Sequence, residues 1–279
     1  MNTPGQKLDA LHRSLEACGP AAVALSGGVD SMTLAYIAHQ RPASDIAMFH
    51  AVSPAVPKSA TDRVKAYAAR EGWALTVLDA GEFGDERYMV NPANRCFFCK
   101  SNLYGTLASV TERQLLSGTN LDDLGDWRPG LKAAEAKSVR HPFVEAEIDK
   151  ATVRRLAASF GLHDLAELPS APCLSSRIET GLRIDPALLP VIDRIETLVR
   201  DRLQPDTVRC RVRKDGIVIE LDDATITELD QPSRRVLINE IEAILDDGHL
   251  GRPVTFEAYR RGSAFLRDDK SSVNDDPGR

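Results

Sequence analysis

Residues 21–38, AAVALSGGVDSMTLAYIA, join a short apolar run to a glycine pair and then to a segment with helical spacing. Ala21 to Leu25, a brief apolar run bounded by a turn signal, reads as a buried parallel strand. Ser26-Gly27-Gly28 is the turn. Asp30 or Ser31 is the expected N-cap of a helix that buries Leu34, Ala35, Ile37 and Ala38. A strand that feeds a helix through glycines aims unpaired backbone N–H groups and the positive end of a helix dipole at one point, where a phosphate can sit. The same residues also suit an ordinary capped turn, and the glycine pair alone does not separate the two. Neither the Walker lysine pattern nor GxGxxG is present in the stretch.

The surrounding chain places this turn in a sheet. Residues 5–18 read as a helix with Leu8, Leu11, His12 and Leu15 on one stripe. Strands follow at 46–52, 74–78 and 114–117, with a helix over 58–71 that points Val64, Ala68 and Ala69 inward. Strands alternating with helices at this spacing predict an α/β, doubly wound parallel sheet whose ligand site lies at the carboxyl ends of the strands. Asp149 to Phe160 is a capped amphipathic helix that buries Val153, Leu156 and Ala157 and stops at Gly161. A loop over 167–177 then leads to helices at 186–202 and 231–246, a strand pair near 207–221 and a strand near 253–258. The expected division is a first domain over 1–166, a smaller α+β domain over 167–267 and a disordered tail over 268–279.

Composition narrows the function. A hydrophobic fraction of 43% and a charged fraction of 27% are those of a soluble globular protein. No apolar run approaches the roughly 18 residues of a membrane span and no secretory h-region opens the chain, so the reading is cytoplasmic with no membrane partner. A net charge of −6 argues against a dedicated nucleic-acid binder. Exposed apolar positions in the second domain suit a homo-oligomer.

Gly118-Thr119-Asn120-Leu121-Asp122-Asp123 follows the fourth strand and runs on through Gly125-Asp126-Trp127-Arg128-Pro129-Gly130. Such residues favour solvated turns for local reasons. An acidic cluster at a strand's carboxyl end is equally placed to hold Mg²⁺ beside phosphates.

Five cysteines, irregularly spaced and without a secretory segment, do not form a disulfide framework. Cys18 and Cys210 read as packing residues. Cys96 and Cys99 stand two residues apart at a helix start beside Arg95 and Lys100, where thiolate is favoured. The pair fits a redox couple, half of a zinc site with Cys173, His141 or His163 contributing, or part of a cluster site. Cys173 lies in Ser170-Ala171-Pro172-Cys173-Leu174-Ser175-Ser176-Arg177, outside any hydrophobic periodicity. If its loop folds back over the strand ends, three thiolates meet near the turn, a count that suits a 4Fe-4S cluster with one iron left open.

The hexapeptide SGGVDS resembles the signature of the PP-loop ATP pyrophosphatases. NRCFFCK at 94–100, SGTNLDDLGDWRPG at 117–130, APCLSSRI at 171–178, VRCRV at 208–212 and AYRRGS at 258–263 follow in order. Together they resemble the LarE family of ATP-dependent sulfur transferases, which make the thiocarboxylates of the nickel-pincer nucleotide from pyridinium-3,5-biscarboxylic acid mononucleotide. The resemblance implies ATP contacts at Ala24, Ser26, Gly27, Gly28, Asp30, Ser31, Gly118, Asp122 and Asp123, with Mg²⁺ on Asp30 and Asp123. It implies a 4Fe-4S cluster on Cys96, Cys99 and Cys173, as in members that carry all three cysteines. Members with only the last of these sacrifice it and keep dehydroalanine.

The resemblance further implies that Ser176, Arg177, Arg209 and Arg211 bind the carboxylate nucleotide substrate, and alternation puts both strand arginines on one face. Arg213 and Lys214 stand where the family often has histidine and glycine, and AYRRGS lacks the usual glycine before its aromatic residue. The expected reaction adenylylates a carboxylate, with Asp30 and Cys173 in the catalytic roles, and thiolates it with sulfur from an unidentified donor. The rivals are a sacrificial Cys173, a PP-loop tRNA thiolation enzyme, an amide-forming PP-loop ligase and a non-catalytic nucleotide-binding module with structural zinc.

Overall fold

The computed structural model describes residues 4–41, 45–125, 129–245 and 253–265. The tail expected over 268–279 lies outside them, as do Asp126, Trp127 and Arg128 of the long polar loop. The described residues fall into two compact units, one drawn from Met1–Met89 and Asn94–Cys173, the other from Val90–Ala93 and Leu174–Arg279.

The first unit runs α1 (Pro4–Glu16), β1 (Ala21–Leu25), α2 (Val29–His39), β2 (Ile46–Ala51), α3 (Lys58–Glu71) and β3 (Leu75–Leu78). A 3₁₀ turn at Glu82–Gly84 and the short α4 (Glu86–Met89) precede α5 (Arg95–Val110) and β4 (Gln114–Leu116). Then come α6 (Leu121–Leu124), α7 (Pro129–Glu135), α8 (Pro142–Glu145), α9 (Lys150–Ser159) and α10 (His163–Ala166). The four strands form one sheet in the order β3-β2-β1-β4, every pair parallel.

Burial on both faces explains why β1 is apolar throughout. Ala21, Val23 and Leu25 enter a core with Leu11 and Leu15 of α1, Leu34 of α2, Val64 of α3 and Val153 of α9. Ala22 enters a second core with Phe49, Leu115 and, from α5, Tyr104 and Leu107. Strand β3 lies at the sheet edge and leaves Val77 exposed. On α3 the inward stripe is Ala60, Val64, Tyr67 and Ala68, while Ala69, expected inward, is exposed. The tyrosine lies three residues beyond Val64 on the same face, where its ring fills more of the core than an alanine methyl does.

Helix α9 follows its sequence signals: Asp149 accepts from Thr152 N at 2.7 Å, and Val153, Leu156 and Ala157 are buried.

The strand order also fixes where a ligand can enter. The chain moves outward from β1 through β2 to β3, then returns to the other side of β1 for β4. The reversal opens a crevice beyond the carboxyl ends of β1 and β4. Residues 26–31 and 117–123 leave the sheet there.

The second unit comprises a 3₁₀ turn at Leu174–Arg177, α11 (Leu188–Leu203), β5 (Val208–Val212), β6 (Ile217–Leu221), α12 (Asp223–Glu228), α13 (Gln231–Ile244) and β7 (Val254–Ala258). Strand β6 pairs antiparallel with β5 and parallel with β7, which makes the unit α+β. A parallel return needs a crossover, and α12 and α13 lie in it.

Candidate active site

Close backbone approach shapes the turn after β1. Gly27 adopts φ +75°, and a β-carbon there would stand 2.7 Å from the Ala60 carbonyl oxygen of α3. The N-cap of α2 is Gly28 and not, as expected, Asp30 or Ser31. The helix starts two residues earlier than an Asp30 cap would place it, because Ser31 turns its hydroxyl back into the turn. Its Oγ accepts from Ser26 N at 3.0 Å, lies 3.0 Å from Ser26 Oγ and donates to Gly28 O at 3.3 Å. Both serines thus hold the loop closed on itself, and the first-turn amides of α2 have no intrahelical acceptors. Ala24, the last half-buried residue of β1, lies just before this turn.

Helix α3 and β2 brace the loop from behind. Arg63 Nη1 donates to Gly27 O at 2.8 Å. His50, fully buried, lies 3.0 Å from Leu25 O through Nδ1 and 3.0 Å from Thr61 Oγ1 through Nε2. Burial pushes its pKa below the ordinary value, which favours the neutral ring.

The polar loop after β4 meets the turn directly. A β-carbon on Gly118 would fall 2.6 Å from Ser31 N and 2.8 Å from the Asp30 carbonyl carbon. Asn120 Nδ2 donates to Asp30 Oδ1 at 3.1 Å, and Lys150 Nζ pairs with Asp30 Oδ2. Asp123 forms a capping box with Asn120, and Asp122 accepts from Lys150 N at 2.9 Å. Ser117 Oγ lies 2.7 Å from His141 Nδ1 and 2.9 Å from Thr119 Oγ1. Asp30 thus meets the Lys150 ammonium at the switch point, with Asp122 and Asp123 on the adjoining loop. Hard oxygen donors of this kind fit a Mg²⁺ ion.

Lys150 and Arg63 had no place in the sequence reading, and Asn120 entered it only as part of the polar loop. One signal was available for Lys150: a lysine in the first turn of a helix opposes the macrodipole.

All five cysteines are thiols, with Cys96 and Cys173 exposed, Cys99 half-buried and Cys210 fully buried. Cys96, Cys99 and Cys173 belong to the first unit. Desolvation pushes the Cys99 thiol up to about 12, with Lys100 opposing the rise and Cys173, Glu82 and Cys96 adding to it. The three thiols are near enough to act on one another electrostatically. Among the described residues, no three His, Cys, Asp or Glu side chains are gathered into a ready metal site. Thiol sulfur is the donor that an iron–sulfur cluster takes, so the three cysteines fit a cluster by chemistry, while as they stand they are not gathered at one point. His141 is bonded to Ser117 and His163 is exposed, so neither joins the thiols as they stand.

The second unit holds the remaining candidates. Arg177 makes a bidentate pair with Glu196, Nε to Oε1 and Nη2 to Oε2, each 2.9 Å. Both side chains are only 3% exposed. Arg211 Nε donates to Glu220 at 2.9 Å and its Nη1 to Ser176 O at 3.0 Å. Arg213 extends the network from Glu220 to Glu257. Arg209 is half-buried, donates to Val208 O and lies 5.8 Å over the Tyr259 ring. Burial, then Arg177, pulls its pKa down, so an incoming anion would be stabilising beside it. A solvated basic strand face does not describe Arg211, which is buried with its own carboxylate.

No protein-family model matches the chain. An uncharacterized protein of Synechocystis is 33% identical over 261 residues, 92% of this chain and 96% of the relative. An uncharacterized protein of Methanocaldococcus jannaschii is 26% identical over 246 residues, 85% of this chain and 90% of that one. The pyridinium-3,5-bisthiocarboxylic acid mononucleotide synthase of Lactiplantibacillus plantarum is 27% identical over 231 residues, 81% of this chain and 83% of the synthase. The chain belongs to one family with the Synechocystis protein, and its likeness to the Lactiplantibacillus synthase supports a LarE-like family. Within the chain the candidate residues divide by unit. The glycine turn, the acidic loop and the three cysteines lie in the first, and Ser176, Arg177, Arg209 and Arg211 in the second.

Proposed function

We propose that this LarE-like protein is an ATP-dependent sulfur transferase of nickel-pincer cofactor biosynthesis, acting on a small-molecule carboxylate nucleotide. The observation that carries the reading is the packing of Gly118 on Asp30 and Ser31, which joins the SGGVDS turn to the GTNLDD loop at the switch point of a parallel sheet. The name of the Lactiplantibacillus relative supports the substrate class.

ATP lies with its phosphates on residues 26–31, received by the α2 amides. Asp30, helped by Asp122 or Asp123, would hold Mg²⁺, and the bound ion would supply positive charge against the departing pyrophosphate. The substrate carboxylate attacks the α-phosphorus, the bond to the bridging oxygen breaks, and pyrophosphate leaves. The acyl adenylate then exchanges AMP for sulfur and becomes a thiocarboxylate. A 4Fe-4S cluster, when held by Cys96, Cys99 and Cys173, supplies a reusable sulfide. Arg209 holds the substrate phosphate, while Arg211, engaged with Glu220 and Ser176 O, orders the strand beside it.

A second reading is favoured by the exposure of Cys173 and by the ungathered thiols: the Cys173 sulfur attacks the acyl adenylate and displaces AMP, and loss of the α-proton with cleavage of the Cβ–S bond leaves the thiocarboxylate and dehydroalanine. Iron, acid-labile sulfide and zinc measured per chain after anaerobic purification separate the two. Near-stoichiometric iron and sulfide, lost in Cys173→Ala, are expected. Zinc, or no metal, would remove the cluster and leave the sacrificial cysteine.

A further inference from the structure

Both oxygens of Asp30 are occupied, Oδ1 by Asn120 and Oδ2 by the Lys150 ammonium. The pair is partly open to solvent, with the side chains 25% and 33% exposed. Lys150 is the first residue of α9, where the helix dipole disfavours a cation. The helix end has other partners: Asp149 accepts from Thr152 N and Asp122 from Lys150 N. The ammonium therefore adds nothing to the capping of α9, and what it neutralises is Asp30. A divalent ion on Asp30 needs the oxygen that the ammonium now takes, and the two cations repel at such range.

We propose that Lys150 is the stand-in cation of the metal position: it neutralises Asp30 until Mg²⁺ arrives, then moves its ammonium to the nucleotide phosphates. The inference rests on the ATP reading of residues 26–31. A flexible four-carbon stem with three donors suits the move. Arg63 makes no such exchange, because its guanidinium is anchored on the Gly27 carbonyl. Lys150 is thus a positioning residue for phosphate and metal together, and removing it acts on the two ligands in opposite directions.

Binding of α,β-methylene-ATP, titrated by calorimetry over a range of Mg²⁺ concentrations, tests this. Lys150→Met is expected to weaken nucleotide binding about tenfold, the loss of one charge-assisted hydrogen bond. It is also expected to lower the half-saturating Mg²⁺ roughly threefold, because Asp30 has lost its competing cation. Nucleotide affinity within twofold of wild type, or a loss with half-saturating Mg²⁺ unchanged or raised, would overturn the exchange and leave a structural tether. If Lys150→Met does not fold, Lys150→Arg decides. A fork held on the Asp30 carboxylate must raise the half-saturating Mg²⁺, and an unchanged value overturns the proposal. Wild-type protein that binds no α,β-methylene-ATP would remove the ATP reading itself, and the inference with it.

Discussion

Gly118→Ala is expected to destabilise the first unit by about 3 kcal/mol and to abolish nucleotide binding. The added methyl would stand 2.6 Å from Ser31 N and 2.8 Å from the Asp30 carbonyl carbon. These are backbone atoms that cannot rotate aside, so either the loop after β4 or the start of α2 must move. Moving α2 turns its first amides away from the phosphates, and moving the loop separates Asn120 from Asp30. Thermal unfolding should fall by roughly 6–12 °C. A variant that melts with wild type and binds ATP normally would show that the two loops do not depend on this contact.

Arg177→Met should be comparably damaging in the second unit, for an electrostatic reason. It leaves Glu196 charged and buried without its bidentate partner, at a cost of about 3–5 kcal/mol. Glu196 Oε1 also accepts from Cys210 N at 2.9 Å, so its displacement disturbs β5. Adding Glu196→Met should restore much of the loss, because apolar side chains of similar volume often replace a buried ion pair without penalty. Denaturant unfolding of the single and double variants reads both effects. A single variant as stable as wild type would mean that the pair is not closed in solution. A double variant no better than the single one would place the cost in packing instead.

The first unit was legible because its signals are local. Strand β1 begins and ends where its apolar run does, and α3 and α9 keep their expected starts. The strand order was not written locally. It follows from how crossovers pack, and it alone brings residues 117–123 back against 26–31.

Partner choice was hidden in the same way. Lys150 and Asp30 are 120 residues apart, and nothing in EIDKATV names the carboxylate that the lysine will meet. The α2 cap was misplaced because serine and aspartate are strong capping types, whereas here Ser31 folds its hydroxyl back onto Ser26. The arginines of β5 were legible as a face but not as ion pairs, since Glu196 and Glu220 come from other elements.

The measurement that bears most directly on the account follows labelled ATP and pyridinium-3,5-biscarboxylic acid mononucleotide through wild type and Cys173→Ala with Mg²⁺ present. AMP and pyrophosphate are expected from both proteins and thiocarboxylate from wild type alone, if activation lies at residues 26–31 and sulfur delivery at Cys173 as proposed. ADP and phosphate as products, or thiocarboxylate formed by Cys173→Ala, would contradict it.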